Sequence, residues 1–116
     1  MSGSEPGNPR IPAQNTLQII VRLWIHPARV AEFEAYERKV APIMRRHGGG
    51  IEKVIRVSAH EPAGEEPPFE IHLLAFPSLD AFLAYRADSE LAGLAAERSS
   101  VILRTEITFG STGPEY

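Results

Sequence analysis

The 116-residue sequence contains no cysteine, which excludes disulfide bridges, thiolate metal sites and thiol catalysis. It has no run of the roughly 20 apolar residues that a membrane-spanning helix needs, and its first residues lack the basic start and apolar stretch of a secretory signal. Its formal net charge of −3 argues against a general nucleic-acid binder, because such proteins carry a basic excess. We therefore expect a cytoplasmic protein with neither nucleic acid nor membrane as a partner.

The residues that are present suit a single globular domain. The hydrophobic share is 43% and the charged share is 23%, as in ordinary globular proteins, and a chain of this length buries enough surface for one core. Residues 1–15 hold three prolines and few large apolar side chains, which predicts a flexible N-terminal leader. We expect the folded domain over residues 16–110 and a short C-terminal tail over 111–116.

Hydrophobic periodicity predicts the element order β-α-β-β-α-β. Alternating apolar residues predict strands over 17–25, 51–58, 69–76 and 101–109. A 3.6-residue spacing predicts a helix over 28–47, and N-caps at Ser78 and Asp88 begin two pieces of a second helical region. The proline-rich segment 59–68 is interpreted as a loop that forms a flap. This order is that of the α+β ferredoxin-like fold, a four-stranded antiparallel sheet with helices on one side.

The two faces of that sheet differ in character. One set of strand residues is almost wholly apolar and is expected beneath the helices: Leu17, Ile19, Val21, Leu23, Ile25, Ile55, Val57, Phe69, Ile71, Leu73, Val101, Leu103 and Ile107. The opposite set mixes apolar and charged residues and is expected on the open face: Gln18, Ile20, Arg22, Trp24, Glu52, Val54, Arg56, Glu70, His72, Leu74, Phe76, Ile102, Arg104 and Glu106. Because monomers rarely expose such an apolar patch, we predict a homodimer packed sheet to sheet.

The ionisable residues of the open face are the candidate site. Buried charges must be paired, and perturbed ionisable groups in a cleft indicate a functional site. We expect Arg22 to lie near Glu70 and His72, with His72 as acid/base, Arg22 as anion or enolate stabiliser, and Glu70 as its orienter. The predicted ligand pocket between the sheets is lined by Trp24, Arg56, Phe76, Arg104 and Tyr36. The alternative hypothesis is that these charges form an interface network without a ligand.

Other site types are not predicted. The four histidines show neither His-x-x-x-His nor His-Glu-x-x-His spacing, so no metal site is expected. The stretch 47–50 matches the oxyanion sequence of some lipases, but the Gly-x-Ser-x-Gly elbow of those enzymes is missing, and a helix end explains the glycines. The third strand lacks the aromatic pattern of an RNA-recognition module.

Several short motifs resemble an uncharacterised branch of the dimeric α+β barrel superfamily. They are Phe76-Pro77-Ser78-Leu79-Asp80-Ala81, then Tyr85, Ser89-Glu90-Leu91 and Arg98, together with His26-Pro27, Pro42 and His47-Gly48-Gly49. The resemblance covers about residues 17–109. It implies a ferredoxin-like protomer, a homodimer joined through its sheets, and no established activity. Relatives include antibiotic-biosynthesis-type monooxygenases, which oxidise aromatic polyketides without a cofactor, haem-degrading enzymes and NIPSNAP proteins.

The sequence also departs from that branch. His26 stands where the branch tends to have aspartate, and the turn at 87–91 lacks the usual proline and tyrosine. The second helix has no histidine of the kind that haem-degrading relatives use, so no haem and no other cofactor is expected. The resulting hypothesis is a small homodimer that binds a hydrophobic or aromatic molecule, or a cofactor-independent monooxygenase-like enzyme. The alternative is a non-catalytic dimeric scaffold or a sensory ligand-binding module.

Overall fold

A computed structural model describes residues 16–116. Their elements follow the order β1 (Leu17–Ile25), α1 (Val30–Arg46), β2 (Gly50–Arg56), β3 (Glu70–Phe76), α2 (Leu79–Arg86), α3 (Ser89–Ala92), α4 (Ala95–Val101) and β4 (Ile102–Gly110). The strands form one antiparallel sheet in the order β2-β3-β1-β4. The predicted ferredoxin-like α+β fold is confirmed. The predicted leader, residues 1–15, lies outside the described residues.

The helix boundaries follow from local capping chemistry. The Ser78 hydroxyl accepts a hydrogen bond from the Ala81 backbone N–H at 3.1 Å, and the Asp88 carboxylate accepts one from the Glu90 N–H at 2.8 Å, so each begins a helix as predicted. After α1, Gly48 adopts a φ of +79°, which glycine tolerates without a steric cost. The second helical region has a third piece, α4, that the periodicity did not indicate.

The hydrophobic core lies between the sheet and the helices. The predicted apolar stripe of α1 is confirmed, because its side chains are buried at Phe33, Tyr36, Val40, Ile43 and Met44. The inward face of β1 is also as predicted, with Ile19, Val21, Leu23 and Ile25 buried. These two elements therefore form the centre of the core.

Strand β3 faces the helices with the side chains that were predicted on the open face of the sheet. His72 is the register partner of Val21, and Glu70 is the register partner of Leu23. Directly paired residues of an antiparallel sheet share a face, so both polar side chains lie beneath the helices, where they are 4% and 3% exposed. Two further residues predicted on the open face are likewise in the core: Leu74 and Phe76.

Strand β2 also differs from the prediction, because its pairing with β3 shifts between Ile51 and Lys53. Such a bulge moves every later side chain to the other face. Arg56 consequently pairs with Glu70 on the helix side, whereas Ile55, expected beneath the helices, lies on the open face and is 41% exposed.

Strand β4 contains a similar irregularity opposite Trp24 and Ile25. Ile102, predicted on the open face, is 7% exposed in the core. Leu103, predicted in the core, is 59% exposed. The placement of Arg104 beside Trp24 on the open face is as predicted.

The open face of the sheet, as the structure has it, is an apolar surface with a charged margin. It includes the side chains of Ile20, Arg22, Trp24, Lys53, Ile55, Ile71, Leu73, Arg104, Glu106 and Thr108. Three of these, Ile55, Ile71 and Leu73, were expected in the core.

Candidate functional site

A cavity of about 310 Å³ lies between the sheet and the helices. Strands β1, β3 and β4 form one wall, and residues of all four helices form the other. Its apolar lining includes Val21, Leu23, Val40, Met44, Leu74, Phe82, Leu91, Ile102 and Ile107, and its polar lining includes Tyr36, Glu37, His72, Tyr85, Arg86, Arg98 and Thr105. A mostly apolar cleft with a few convergent polar groups is the usual form of a small-molecule site.

His72 and Glu70 form a buried hydrogen-bonded pair at this cavity. Nε2 of His72 is 2.6 Å from Oε2 of Glu70, and both side chains are about 5% exposed or less. The other oxygen of Glu70 accepts hydrogen bonds from Arg56, at 3.0 Å from Nε and 2.6 Å from Nη2. Arg56 is itself half exposed and also pairs with Glu34 of α1 at 3.1 Å. The buried carboxylate is therefore compensated on both sides, as a buried charge requires.

Glu37 is a cavity residue that the sequence analysis missed. Its Oε1 is 3.8 Å from Nδ1 of His72, which is too long for a hydrogen bond, and its side chain is 18% exposed. Burial raises the pKa of its carboxyl, an effect that the nearby His72 opposes. The sequence does carry a signal for it, because Glu37 lies four residues after Phe33 and three before Val40, within the apolar stripe of α1.

Arg98 places a cation at the same cavity. Its Nη2 donates to the Thr105 hydroxyl at 2.6 Å, which joins α4 to β4. Burial raises the pKa of the Tyr36 phenol to about 12, and the positive charge of Arg98 opposes this rise. Arg98 stood in the sequence motifs that resemble the barrel branch, but its position at a cavity depends on the packing of the short helix α4.

The structure separates Arg22 from the residues with which it was grouped. Arg22 pairs with Ile71 and Glu106 on the open face, where Nη1 donates to the Thr108 hydroxyl at 3.3 Å. His72 is on the other side of the same sheet, so the predicted cluster of Arg22 with His72 and Glu70 is wrong in its geometry.

The other predicted pocket residues divide among three places. Tyr36 lines the cavity, whereas Arg56 is not among the lining residues, and its guanidinium lies 4.7 Å from the Phe69 ring centroid. Phe76 is 1% exposed and packs on Phe82 and Tyr85 at centroid distances of 5.3 and 5.5 Å, so it belongs to the core rather than to a space between sheets.

Trp24 and Arg104 belong to a different hollow, on the open-face side beside the loop 59–68. The Arg104 guanidinium is 4.5 Å from the Trp24 ring centroid, and the indole N–H donates to the Glu66 carbonyl at 3.0 Å. Leu103 also lines this hollow. The tryptophan thus anchors the loop that was interpreted as a flap.

Metal-binding and membrane-spanning features are absent from the described part of the chain. Within residues 16–116, no three histidine or acidic side chains come together in an arrangement suited to a metal ion. Over the same residues, no helix has the length and apolar character to cross a membrane.

Comparison with known proteins gives a family and a set of similar folds. A family described as a domain of unknown function, DUF1330, matches residues 19–108. No curated protein matches the chain.

Among solved structures, a protein of unknown function from Rhodopseudomonas palustris has a TM-score of 0.76 at 14% identity, covering 88% of this chain and 85% of its own. The cofactor-independent oxygenase SnoaB from Streptomyces nogalater has a TM-score of 0.65 at 16% identity, covering 87% and 96%. An uncharacterised NIPSNAP-like domain protein from Burkholderia xenovorans has a TM-score of 0.61 at 15% identity, covering 88% and 91%. At these identities the similarity concerns the fold.

Proposed function

The chain belongs to the DUF1330 family, a domain of unknown function, and we propose that it is an acid/base enzyme acting on an apolar, aromatic small molecule, in the manner of a cofactor-independent oxygenase. The observation that carries this proposal is the buried His72–Glu70 pair at the wall of the cavity. Because burying two ionisable side chains is costly, a purely structural core would be served as well by apolar residues. The pair therefore favours chemistry at this wall.

The cavity suits a substrate with a large apolar body and one polar end. A volume of about 310 Å³ is at the lower end of the range for small-molecule sites, which is roughly 300–1,000 Å³. The aliphatic and aromatic lining provides the apolar part of the site. The polar part of the lining includes His72, Glu37 and Arg98. These three side chains provide the reactive groups of the proposed site.

Each polar group has a distinct role in the proposed reaction. His72 belongs to the acid/base group, because an imidazole ring can accept a proton at one nitrogen while it donates from the other. Glu70 orients the ring through the 2.6 Å hydrogen bond to Nε2. Arg98, rather than Arg22, stabilises the anion that forms when the substrate loses a proton, since Arg98 lines the cavity on the same side of the sheet as His72.

The proposed reaction converts an activated CH₂ group into a carbonyl group. The enzyme removes a proton from this carbon, and the resulting anion, an enolate or phenolate by resonance, is itself the reductant for dioxygen. One oxygen atom of O₂ becomes the carbonyl oxygen and the other leaves as water, so R₂CH₂ and O₂ give R₂C=O and H₂O. The substrate loses four electrons and the dioxygen gains four.

Similarity of fold supports the choice of this reaction class. SnoaB is a cofactor-independent oxygenase, and 96% of its chain matches this domain with a TM-score of 0.65. The proposed reaction takes place in the cavity between sheet and helices, because the acid/base residues lie there and not on the open face of the sheet.

The open face supports a homodimer as the assembled form. Ile20, Ile71 and Leu73 lie side by side across β1 and β3, and Ile55 extends this apolar surface onto β2. Such a surface is unusual on a monomer, and a second copy laid against it in the same way covers it on both chains.

Oxygen uptake with an anthrone tests the proposed function. An anthrone carries an aromatic body, an acidic CH₂ group and a carbonyl oxygen, and its quinone product is coloured. We expect uptake above the uncatalysed rate with the wild-type protein and a loss of about 100-fold with His72→Ala. His60→Ala, in the exposed loop, is the matched control. Binding without uptake would support the sensory or ligand-binding alternative. The absence of both binding and uptake would contradict the proposal.

A further inference from the structure

The imidazole of His72 lies between two carboxyl groups. Nε2 is 2.6 Å from Oε2 of Glu70, and Nδ1 is 3.8 Å from Oε1 of Glu37. The two carboxyl groups differ in their surroundings. Glu70 is bound to the Arg56 guanidinium through two N–H groups, whereas Glu37 lines the cavity. The ring therefore connects an ion-paired carboxylate to a carboxyl group that can contact a ligand.

This arrangement selects one tautomer of the histidine. Glu70 is ion-paired with Arg56, whose Nε and Nη2 both donate to Oε1 of the carboxylate. An ionised carboxylate can only accept hydrogen bonds, so Nε2 of His72 carries the proton that it donates to Glu70. In the neutral ring, Nδ1 is then the nitrogen that can accept a proton, and Oε1 of Glu37 is 3.8 Å from it.

We infer that Glu37 is the catalytic group that exchanges a proton with the substrate, and that His72 acts through it as the positioning residue that shares this proton. This inference rests on the proposed function of the cavity and names the residue that contacts the substrate. In the forward step, the proton leaves the substrate for the Glu37 carboxylate, and rotation of that side chain closes its 3.8 Å separation from Nδ1 of His72 to hydrogen-bond length and passes the proton to the ring. The substrate is left as an anion, and the imidazolium is stabilised by Glu70.

The surroundings of Glu37 suit this role. The charged and titratable groups that face it come from its own helix and from three packed elements: Tyr36 of α1, His72 and Glu70 of β3, Tyr85 of α2, and Arg98 of α4. Burial is the largest of the effects on its carboxyl and raises its pKa. A carboxyl group with a raised pKa is a stronger base than an ordinary glutamate and is better matched to proton transfer near neutral pH.

Kinetics of three variants test the catalytic role. With the anthrone assay, Glu37→Gln is expected to lower kcat/KM by about 100-fold or more and to remove the acid limb of its pH profile. Glu32→Gln, on the exposed side of the same helix, is expected to match the wild type. Glu70→Gln, which frees the ring to change tautomer, is expected to lower kcat with a smaller effect on KM. A Glu37→Gln enzyme within twofold of the wild type would overturn the inference.

Nuclear magnetic resonance of the free protein tests the shared proton without any turnover. We expect the Glu37 side-chain carbon and the His72 Nδ1 nitrogen to report the same pH-dependent steps, because the protonation steps of interacting groups belong to the pair. At high pH, Nε2 is expected to carry the ring proton, and Glu70→Gln to remove that preference. Independent titration of the two probes, or a proton on Nδ1 at high pH, would overturn the inference.

The two measurements separate the inference from the proposed function. If the wild type fails to consume oxygen with any anthrone, the proposed function fails, and the resonance experiment still decides whether Glu37 and His72 share a proton. If the wild type turns over and Glu37→Gln does too, the proposed function stands and the inference fails.

Discussion

Nε2 of His47 lies 2.8 Å from Oδ2 of Asp88, and this contact joins the end of α1 to the start of α3. Arg46 reaches the same carboxylate oxygen with Nη2 at 3.0 Å, and its Nη1 is 2.9 Å from Glu90. Asp88 also caps α3 through its second oxygen. The cluster therefore holds in place a short helix whose residues Leu91 and Ala92 form part of the cavity wall.

The Asp88 cluster predicts a loss of stability in acid. Hydrogen bonds from His47 and the Glu90 backbone lower the pKa of Asp88 to about 2. A carboxyl whose folded pKa is depressed stabilises the fold above its unfolded pKa of about 4, and this contribution disappears as the pH falls from about 4 to 2. Asp88→Asn keeps a capping side chain but removes the charge, so we expect a lower Tm at pH 7 and a smaller difference from the wild type at pH 2.

Thermal unfolding from pH 2 to 7 measures this effect. Asp80 is an exposed aspartate in the first turn of α2, and Asp80→Asn is the control. The dependence of its Tm on pH is expected to follow that of the wild type more closely than Asp88→Asn does. Equal acid sensitivity of the wild type and Asp88→Asn would contradict the prediction.

Gly49 is predicted to resist substitution because of its contact with the core. A Cβ at this position would lie 2.2 Å from Cε2 of Phe76, which is 1% exposed and cannot move without disturbing the core. We expect Gly49→Ala to lower the free energy of unfolding by about 1–3 kcal/mol, the usual cost of overpacking.

The neighbouring glycine provides the control for this prediction. A Cβ at Gly50 meets no atom within 4 Å, so we expect Gly50→Ala to change the stability by less than its neighbour does. Urea unfolding of the two variants compares them directly, and an equal cost would contradict the steric argument.

Sequence patterns predicted the order and most boundaries of the elements but assigned the wrong face to β3. In the stretch from Phe69 to Phe76, Ile71 and Leu73 are apolar and Glu70 and His72 are polar. The hydrophobic rule places the apolar set inward, yet the structure buries the polar pair. The rule fails here because Glu70 has a compensating partner in Arg56, and because the open face is apolar too, so alternation does not distinguish the two sides.

The bulge in β2 and the irregularity opposite Trp24 had no clear signal in the sequence. Each reverses the facing of the residues beyond it, so period-two reasoning that was correct for β1 failed at Arg56 and Ile102. The sequence predicted His72 and Glu70 together with Arg22 on the open face, and the structure places only His72 and Glu70 together, beneath the helices. Glu37 could have been found as a charged residue in the stripe of α1, whereas the position of Arg98 depends on tertiary packing.

The proposed dimer predicts a specific sensitivity at Ile55. This side chain is 41% exposed on the open face and is the register partner of Ile71. A charge at this position would be desolvated in a sheet-to-sheet interface, so we expect Ile55→Asp to convert a dimer into a monomer at micromolar concentration.

Light scattering coupled to gel filtration measures the mass in each case. Leu79→Asp is the matched control, because Leu79 is 51% exposed on α2, on the helix side of the molecule, and its variant is expected to stay dimeric. A wild-type protein that elutes as a monomer would contradict the proposed dimer.

The proposed role of Arg98 in stabilising the substrate anion can be tested separately from its role in folding. Arg98 is a cation at the cavity, and its guanidinium also holds Thr105 at 2.6 Å. If it stabilises the substrate anion, Arg98→Ala lowers kcat of the oxygen-consuming reaction by about 100-fold, as the removal of one oxyanion donor does elsewhere.

Arg98→Lys retains the charge and should recover part of that loss, whereas a purely structural role predicts that activity follows Tm in both variants. Arg38→Ala, at a side chain that is 75% exposed on α1, controls for the loss of one positive charge. Activity that stays at the wild-type level in a folded Arg98→Ala protein would remove Arg98 from the reaction and leave it as a contact between α4 and β4.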